Sequence, residues 1–306
     1  MRDPRDYGKV AVLMGGWSSE REVSLMSGSQ VLQSLQQAGV DAHPVDAGRD
    51  LAQVLSAGAY DRVFNILHGQ GGEDGQVQGL LEVMGLPYTG SGVLASALAM
   101  DKLRAKDVIS ACAIATPPYV CVRSYDDCLA FAQEHGYPVV IKPVNEGSSI
   151  GVSIVRDSEA LQTAWTEASK LGAVLAEKFI AGTEVTAAVL GDQALPLVSM
   201  STDRAFYDYH AKYFDEGTRY LCPCGLPRAK EDEIRELALA VFSALGAAGW
   251  GRSDFMIDEA GTPYFIELNT IPGMTTHSLV PMAAKQEGID FKTLCLRILD
   301  SAFEVN

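Results

Sequence analysis

Tyr264-Phe-Ile-Glu-Leu-Asn-Thr-Ile-Pro-Gly273, read together with Gly251-Arg-Ser-Asp254 just before it, decides how the rest of this chain is understood. Side chains alternate across a strand, so Glu267 and Asn269 share one face while Ile266 and Leu268 take the other. Arg252 and Asp254 oppose Ser253 and Phe255 in the same way. The Asp258-Glu-Ala-Gly261 turn signal between the runs predicts a hairpin that brings Asp254 beside Glu267. Two carboxylates and an amide then converge next to an arginine, a set that suits Mg²⁺ completed by substrate phosphate oxygens. Alternation alone favours the plainer alternative, a half-buried hairpin with a solvated polar face. Against it, asparagine is depleted in strands, and side-by-side acids repel unless a cation lies between them.

The 306-residue chain, 47% hydrophobic and 21% charged, has an ordinary globular composition and room for two or three domains. A formal charge of -15 argues against nucleic acid, because a polyanion needs a basic surface to replace its counterions. A small substrate, its phosphates met by a few local cations, fits better. The amino terminus lacks the apolar core of a signal peptide, and no stretch approaches the ~18 apolar residues of a membrane span. The expectation is a cytoplasmic protein that does not engage the membrane. Six cysteines show no C-x-x-C spacing, and the close pair Cys222-Pro-Cys224 reads as reduced loop thiols.

In chain order, Lys9 to Met14 predicts a strand, Gly15-Gly16 a turn, and Ser19-Glu-Arg-Glu22 a capping box opening a helix to Gly39. Glu20 is placed to receive a substrate ammonium, or merely to complement the helix dipole. Strands are expected near 40–45 and 62–67, and a strand and turn over 87–92, with a helix over 76–84 and another carrying Asp101-Lys102 to about 111. Alternating strands and helices imply a parallel sheet, whose ligands gather at the carboxyl ends of its strands, where Glu20 and His68 fall. The Pro-containing link at 113–118 marks a boundary. Lys142 at the end of the next strand, followed by Asn145-Glu-Gly-Ser-Ser-Ile-Gly151, reads equally as a phosphate cradle or as a hairpin with an exposed lysine. Glu177 and Lys178 alternate on a later strand and suit a nucleotide edge or an exposed pair. The tyrosine-rich segment 201–224 reads as a lid. Helices are expected over 230–248, from 274 onward, and over 290–302.

His68-Gly-Gln-Gly-Gly-Glu-Asp-Gly-Gln-Val-Gln-Gly79, Gly251-Arg-Ser-Asp254 and Glu267-Leu-Asn-Thr-Ile-Pro-Gly273, in that order, resemble the signatures of D-alanine:D-alanine ligases, the ATP-grasp enzymes of peptidoglycan synthesis. Tyr207-Asp-Tyr-His-Ala-Lys-Tyr213 resembles that family's lid, and the likeness runs over roughly residues 9–302. It implies an α/β fold, a Rossmann-like parallel-sheet domain followed by a two-part ATP-grasp fold, with domains at 1–97, 98–184 and 185–306. It also implies that ATP phosphorylates one D-alanine and that the amine of a second attacks the acyl phosphate.

The resemblance assigns Asp254, Glu267 and Asn269 to two Mg²⁺ (or Mn²⁺) ions, with Glu267 bridging. Lys102, Lys142 and the lid's Lys212 become phosphate ligands, and Arg252 an oxyanion stabiliser. Glu20 receives the first ammonium and joins Ser148 and Tyr213 in a lid-closing set; His68 lies near the first carboxylate. Ser278 and the Leu279 N–H take the second carboxylate, and Glu177, Lys178 and Glu184 contact adenine and ribose. A homodimer is a further implication. Ser253 stands where relatives are commonly apolar, and His210 where many carry an acid, which implies a lid whose closure follows the histidine's titration. The alternatives are a ligase taking D-lactate or D-serine second, and an ATP-grasp-like binding protein without catalysis. Intact Asp254, Glu267 and Asn269 weigh against the latter.

Overall fold

The computed structural model describes residues 2–201, 219–275 and 278–303. The first sheet is parallel, with β1 (Lys9–Met14) between β2 (Asp41–Asp46) and β3 (Arg62–Asn65). Helices α1 (Arg21–Gln37), α2 (Leu51–Gly58) and α3 (Gln76–Met84) return the chain between strands or away from the last. β1 is apolar and buried along nearly its whole length, as a strand covered on both faces must be.

Three local expectations are corrected here. The Ser19–Glu22 capping box does not form: Glu20 is the N-cap residue and makes no side-chain cap. The neighbouring Ser18 hydroxyl instead accepts from Glu20 N–H at 3.1 Å and donates to the His68 carbonyl at 2.6 Å, tying the turn to the third strand's end. The strand of the strand and turn expected over 87–92 reduces to an isolated bridge between Val63 and Tyr88, and the turn follows at Gly90, at φ +91°. The helix expected to run through Asp101 is two, α4 (Val93–Met100) and α5 (Lys102–Ala111). Asp101 is extended at ψ 97° and caps α5 by accepting from Arg104 N–H.

The second sheet is antiparallel, in the order β4 (Tyr119–Val122), β7 (Val174–Lys178), β5 (Val139–Pro143), β6 (Ser153–Val155), backed by α6 (Tyr125–His135) and α7 (Ser158–Ser169). The third holds β8 (Gly182–Leu190), β9 (Gln193–Ala194), β10 (Val198–Ser201), β11 (Arg219–Leu221), β12 (Trp250–Asp258) and β13 (Pro263–Asn269). Helix α8 (Arg228–Leu245) packs its apolar stripe Ile234, Ala238, Val241, Phe242 and Leu245 into that sheet's core. Helices α9 (Leu279–Gln286) and α10 (Phe291–Asp300) close the chain against α1 and the first sheet.

β12 and β13 form the expected hairpin. Asp254 pairs with Glu267 and Arg252 with Asn269, and a register shift follows between Asp254 and Phe255. Phe255 and Phe265, edge to face at 6.2 Å between ring centroids, fill the opposite face. The turn is held by Asp258, whose Oδ1 accepts from Thr262 N–H at 2.8 Å.

Candidate active site

The three sheets leave a cleft of ≈ 700 Å³, including open solvent, where the carboxyl end of the first sheet meets the β12–β13 hairpin. Glu20, His68, Lys102, Ser148, Arg252, Glu267 and Asn269 all line it. Residues more than 240 positions apart are thus brought together, while Asp254, Lys142, Glu177 and Ser278 are not among those that line it.

On one side, the Ser148 hydroxyl donates to Glu20 Oε1. Ser148 and Ser149 sit in the left-handed region at φ +49° and +60°, a conformation that side chains other than glycine adopt at a cost and that concentrates at functional loops. Two glycines make room for the carboxylate: a Cβ on Gly69 would stand 2.6 Å, and one on Gly147 2.7 Å, from Glu20 Oε2.

His68 is buried beside this pair. Its Nδ1–H donates to the Ile271 carbonyl at 2.9 Å, and its Nε2 faces the Ser27 hydroxyl at 3.4 Å. Burial holds the imidazole below its ordinary pKa, against the opposing pull of Glu20. His68 is therefore a neutral brace between the first sheet and the segment after β13.

Glu73, which the sequence reading left unassigned within the glycine-rich loop, completes this wall. It accepts from Gly69 N–H at 2.6 Å and Ile271 N–H at 3.2 Å. Burial first, and then the Glu20 carboxylate, push its pKa up to about 8.

On the hairpin, Arg252 grips Asp254 with two parallel hydrogen bonds of 2.8 Å, and Thr186 and Asn269 donate to the same carboxylate at 2.7 and 3.1 Å. Asn269 engages it through Nδ2, so its Oδ1 is the amide atom left over from this contact. Lys102 Nζ lies 3.3 Å from Glu267 Oε2 and donates to the Glu146 carbonyl at 2.7 Å. Two hard carboxylates opposite one another with an adjacent amide oxygen fit a divalent cation whose shell is completed from outside the protein. Among the described residues no group of three or more His, Cys, Asp or Glu is placed to hold a metal ion.

Lys142 Nζ pairs with Glu177 Oε2 at 2.8 Å, and Glu177 Oε1 also faces Lys106 at 3.0 Å. All three are buried. Lys106 was missed in sequence because a helical lysine gives no sign of being buried; its spacing of four from Lys102 was the available signal. Lys178 is exposed at the end of β7, and Glu184 lies in β8 of the neighbouring sheet. Ser278 caps α9 in extended conformation without a side-chain bond to the helix, and its Oγ is met by Thr275 N–H at 3.0 Å. The first N–H groups of α9, Leu279 among them, so lack a side-chain cap. Lys212, Tyr213, His210 and most of the expected lid lie outside the described residues.

Comparison with known proteins follows the same lines. A family model described as D-ala D-ala ligase C-terminus matches residues 108–300, and one described as D-ala D-ala ligase N-terminus matches residues 46–91. The D-alanine–D-alanine ligase of Pseudomonas fluorescens (strain Pf0-1) is 54% identical over 304 residues, covering 99% of this chain and 94% of its own. Among solved structures, the D-alanine–D-alanine ligase of Bacillus anthracis superposes with a TM-score of 0.85 at 33% identity, over 96% of this chain and 97% of that one. A D-alanine–D-alanine ligase of Bacillus anthracis complexed with ATP gives 0.83 at 30% identity, over 96% and 97%. The VanG D-Ala:D-Ser ligase of Enterococcus faecalis also gives 0.83 at 30%, over 96% and 99%.

Proposed function

This chain belongs to the D-ala D-ala ligase family, and we infer that it joins two D-alanines into D-alanyl-D-alanine for cell-wall peptidoglycan, with ATP as co-substrate. The observation that carries the reading is one cleft lined both by the Glu20–Ser148 pair and by the Arg252, Glu267 and Asn269 platform.

A carboxylate is a poor electrophile, so the reading has ATP phosphorylate the first D-alanine to an acyl phosphate. The amine of the second then attacks the acyl carbon, and inorganic phosphate leaves from the tetrahedral intermediate. Such a sequence depends on positioning and charge neutralisation. Glu20, fixed by Ser148, pairs with the first ammonium. His68 and Glu73 hold the loop beneath it. The α9 N-terminus at Ser278 and Leu279 accepts the second carboxylate, as uncapped N–H groups favour an anion. Arg252 neutralises the oxyanion, and Lys102 and Lys142 hold phosphate oxygens. Two Mg²⁺ or Mn²⁺ ions on Asp254, Glu267 and Asn269 would add charge neutralisation at the transferring phosphoryl group. Glu177, Lys178 and Glu184 serve the adenosine end.

Lys212 and Tyr213 belong to the same proposal, closing over the cleft to keep water from the acyl phosphate. So do the three-domain division, whose cuts at 97/98 and 184/185 fall inside α4 and β8, and a cytoplasmic homodimer. Among the described residues no helix is long and apolar enough to cross a membrane.

The test is phosphate release with ATP and Mg²⁺, first with D-alanine alone and then with D-lactate or D-serine added. Turnover with D-alanine alone is expected, and its absence would overturn the assignment. Glu267→Gln should abolish turnover while the circular dichroism spectrum stays that of the parent; near-parental activity would remove Glu267 from the metal platform.

A further inference from the structure

Lys106 is fully buried, so it cannot touch a ligand, and burial pushes its ammonium down to about 8 against the opposing pull of Glu177. It projects from α5 one turn beyond Lys102, and Nζ donates to Thr116 Oγ1 at 2.6 Å and approaches the Phe265 carbonyl at 3.4 Å. Thr116 Oγ1 donates in turn to that carbonyl at 2.8 Å, so the lysine is fixed against β13, two residues from Glu267. Nζ also lies 5.7 Å from the Tyr119 ring centroid and 3.0 Å from Glu177 Oε1 on β7, while Lys142 holds the other oxygen at 2.8 Å.

Burial pushes the Glu177 carboxyl up, but the Lys106 and then the Lys142 ammonium outweigh it and hold it below the ordinary carboxylate range. Below about pH 8, where Lys106 is protonated, the trio carries two positive charges and one negative. Lys142 alone with Glu177 would form a closed neutral pair, and turning it to a phosphate would strand a buried carboxylate without a counter-ion. With Lys106 in place, Glu177 keeps a partner when Lys142 is shared with an anion.

We propose that Lys106 is a positioning residue for nucleotide binding: it satisfies Glu177 from inside the protein and so releases Lys142 to bind polyphosphate. It also fixes the nucleotide-side strand β7 at one distance from the metal-side strand β13. The inference rests on the reading of Lys142 as a phosphate ligand.

The test compares Lys106→Met, which keeps the unbranched stem and removes the ammonium, with Thr116→Val and Lys142→Met. ADP affinity with Mg²⁺ is measured by calorimetry, alongside KM for ATP and for D-alanine. Lys106→Met should weaken ADP binding about tenfold and raise KM for ATP in step, with KM for D-alanine within about twofold of the parent. Thr116→Val, which removes the hydroxyl that links Lys106 to the Phe265 carbonyl, should weaken ADP about threefold and add nothing in the Lys106→Met background. If Lys106→Met does not fold, Thr116→Val decides: unchanged ADP affinity there overturns the proposal. Unchanged ADP affinity in folded Lys106→Met, or equal increases in both KM values, also overturns it. Should Lys142→Met itself leave ADP affinity intact, the phosphate reading of Lys142 fails; if Lys142→Met weakens binding and Lys106→Met does not, only the present proposal falls.

Discussion

Glu73 shows how much one side chain can set. Its folded pKa of about 8 lies above the ordinary 4.5, so between those values the native state keeps a proton that the unfolded chain has lost. Its contribution to stability is fully present below the unfolded value and is lost as pH rises through the folded one. Glu73→Gln, which keeps the shape of the protonated acid, should therefore abolish a fall of a few kcal/mol (~3) between about pH 5 and pH 8. Urea titrations of both proteins across that range check this, and parallel pH dependences would refute it. Ser253 makes the opposite point. Its hydroxyl is buried on the core face of β12, with no hydrogen-bond partner among the described residues. A buried hydroxyl without a partner costs free energy, so Ser253→Ala should stabilise the protein by about 1 kcal/mol. Turnover should be unchanged, because Arg252 and Asp254 project from the other face; a lower melting temperature would show the hydroxyl to be satisfied.

At the scale of elements, the hairpin was legible and the loops were not. Period-two alternation fixes which face each residue takes, so the pairing of Asp254 with Glu267 followed from the sequence once the turn was located. The register shift after Asp254 did not, because nothing in Phe265-Ile-Glu267 marks Ile266 as the extra residue that leaves Phe265 opposite Phe255. The capping box at Ser19 failed for a related reason: its signature is local, while Glu20 is claimed by Ser148, 128 positions away. Lys106 and Glu73 were invisible because burial of a charge depends on long-range partners that periodicity does not encode. The Ser148 loop carries a prediction of this kind. Gly147 lies against the Glu20 carboxylate, which Ser148 already anchors, so a methyl there must displace it. Gly147→Ala should lower kcat/KM for D-alanine by ~10–100-fold, since small misplacements of a binding group are costly, while KM for ATP moves little. Unaltered D-alanine kinetics would show that Glu20 does not hold the ammonium.

Across the whole molecule, the apolar cores divide unevenly. One core joins the first sheet (Val10, Val12), α1 (Val31, Leu35), strands of the third sheet (Ala188, Leu190, Val198) and α10 (Leu294, Ile298, Leu299). Tyr7 adds a 2.8 Å hydrogen bond to Asp300, linking the two ends of the described chain. The second sheet instead has a core of its own, with Phe131, Ile141, Leu161 and Ala176. The walls bearing Glu20 and Glu267 are thus parts of one frame, whereas β7, with Glu177, sits on a separately cored lobe tethered through the Lys106 cluster. Cooperative units follow shared cores, so the two kinds of truncation should spread differently. Leu299→Ala should cost ~2–5 kcal/mol and raise amide exchange in β1 and β8 together, although β8 lies over 100 residues away in sequence. Phe131→Ala should cost ~3–5 kcal/mol and raise exchange in β4, β5 and β7 while β1 keeps its protection. Native-state hydrogen exchange on the two variants checks both. If Phe131→Ala loosened β1 as much as β7, the lobes would unfold as one body and the nucleotide strand would have no independence from the substrate frame.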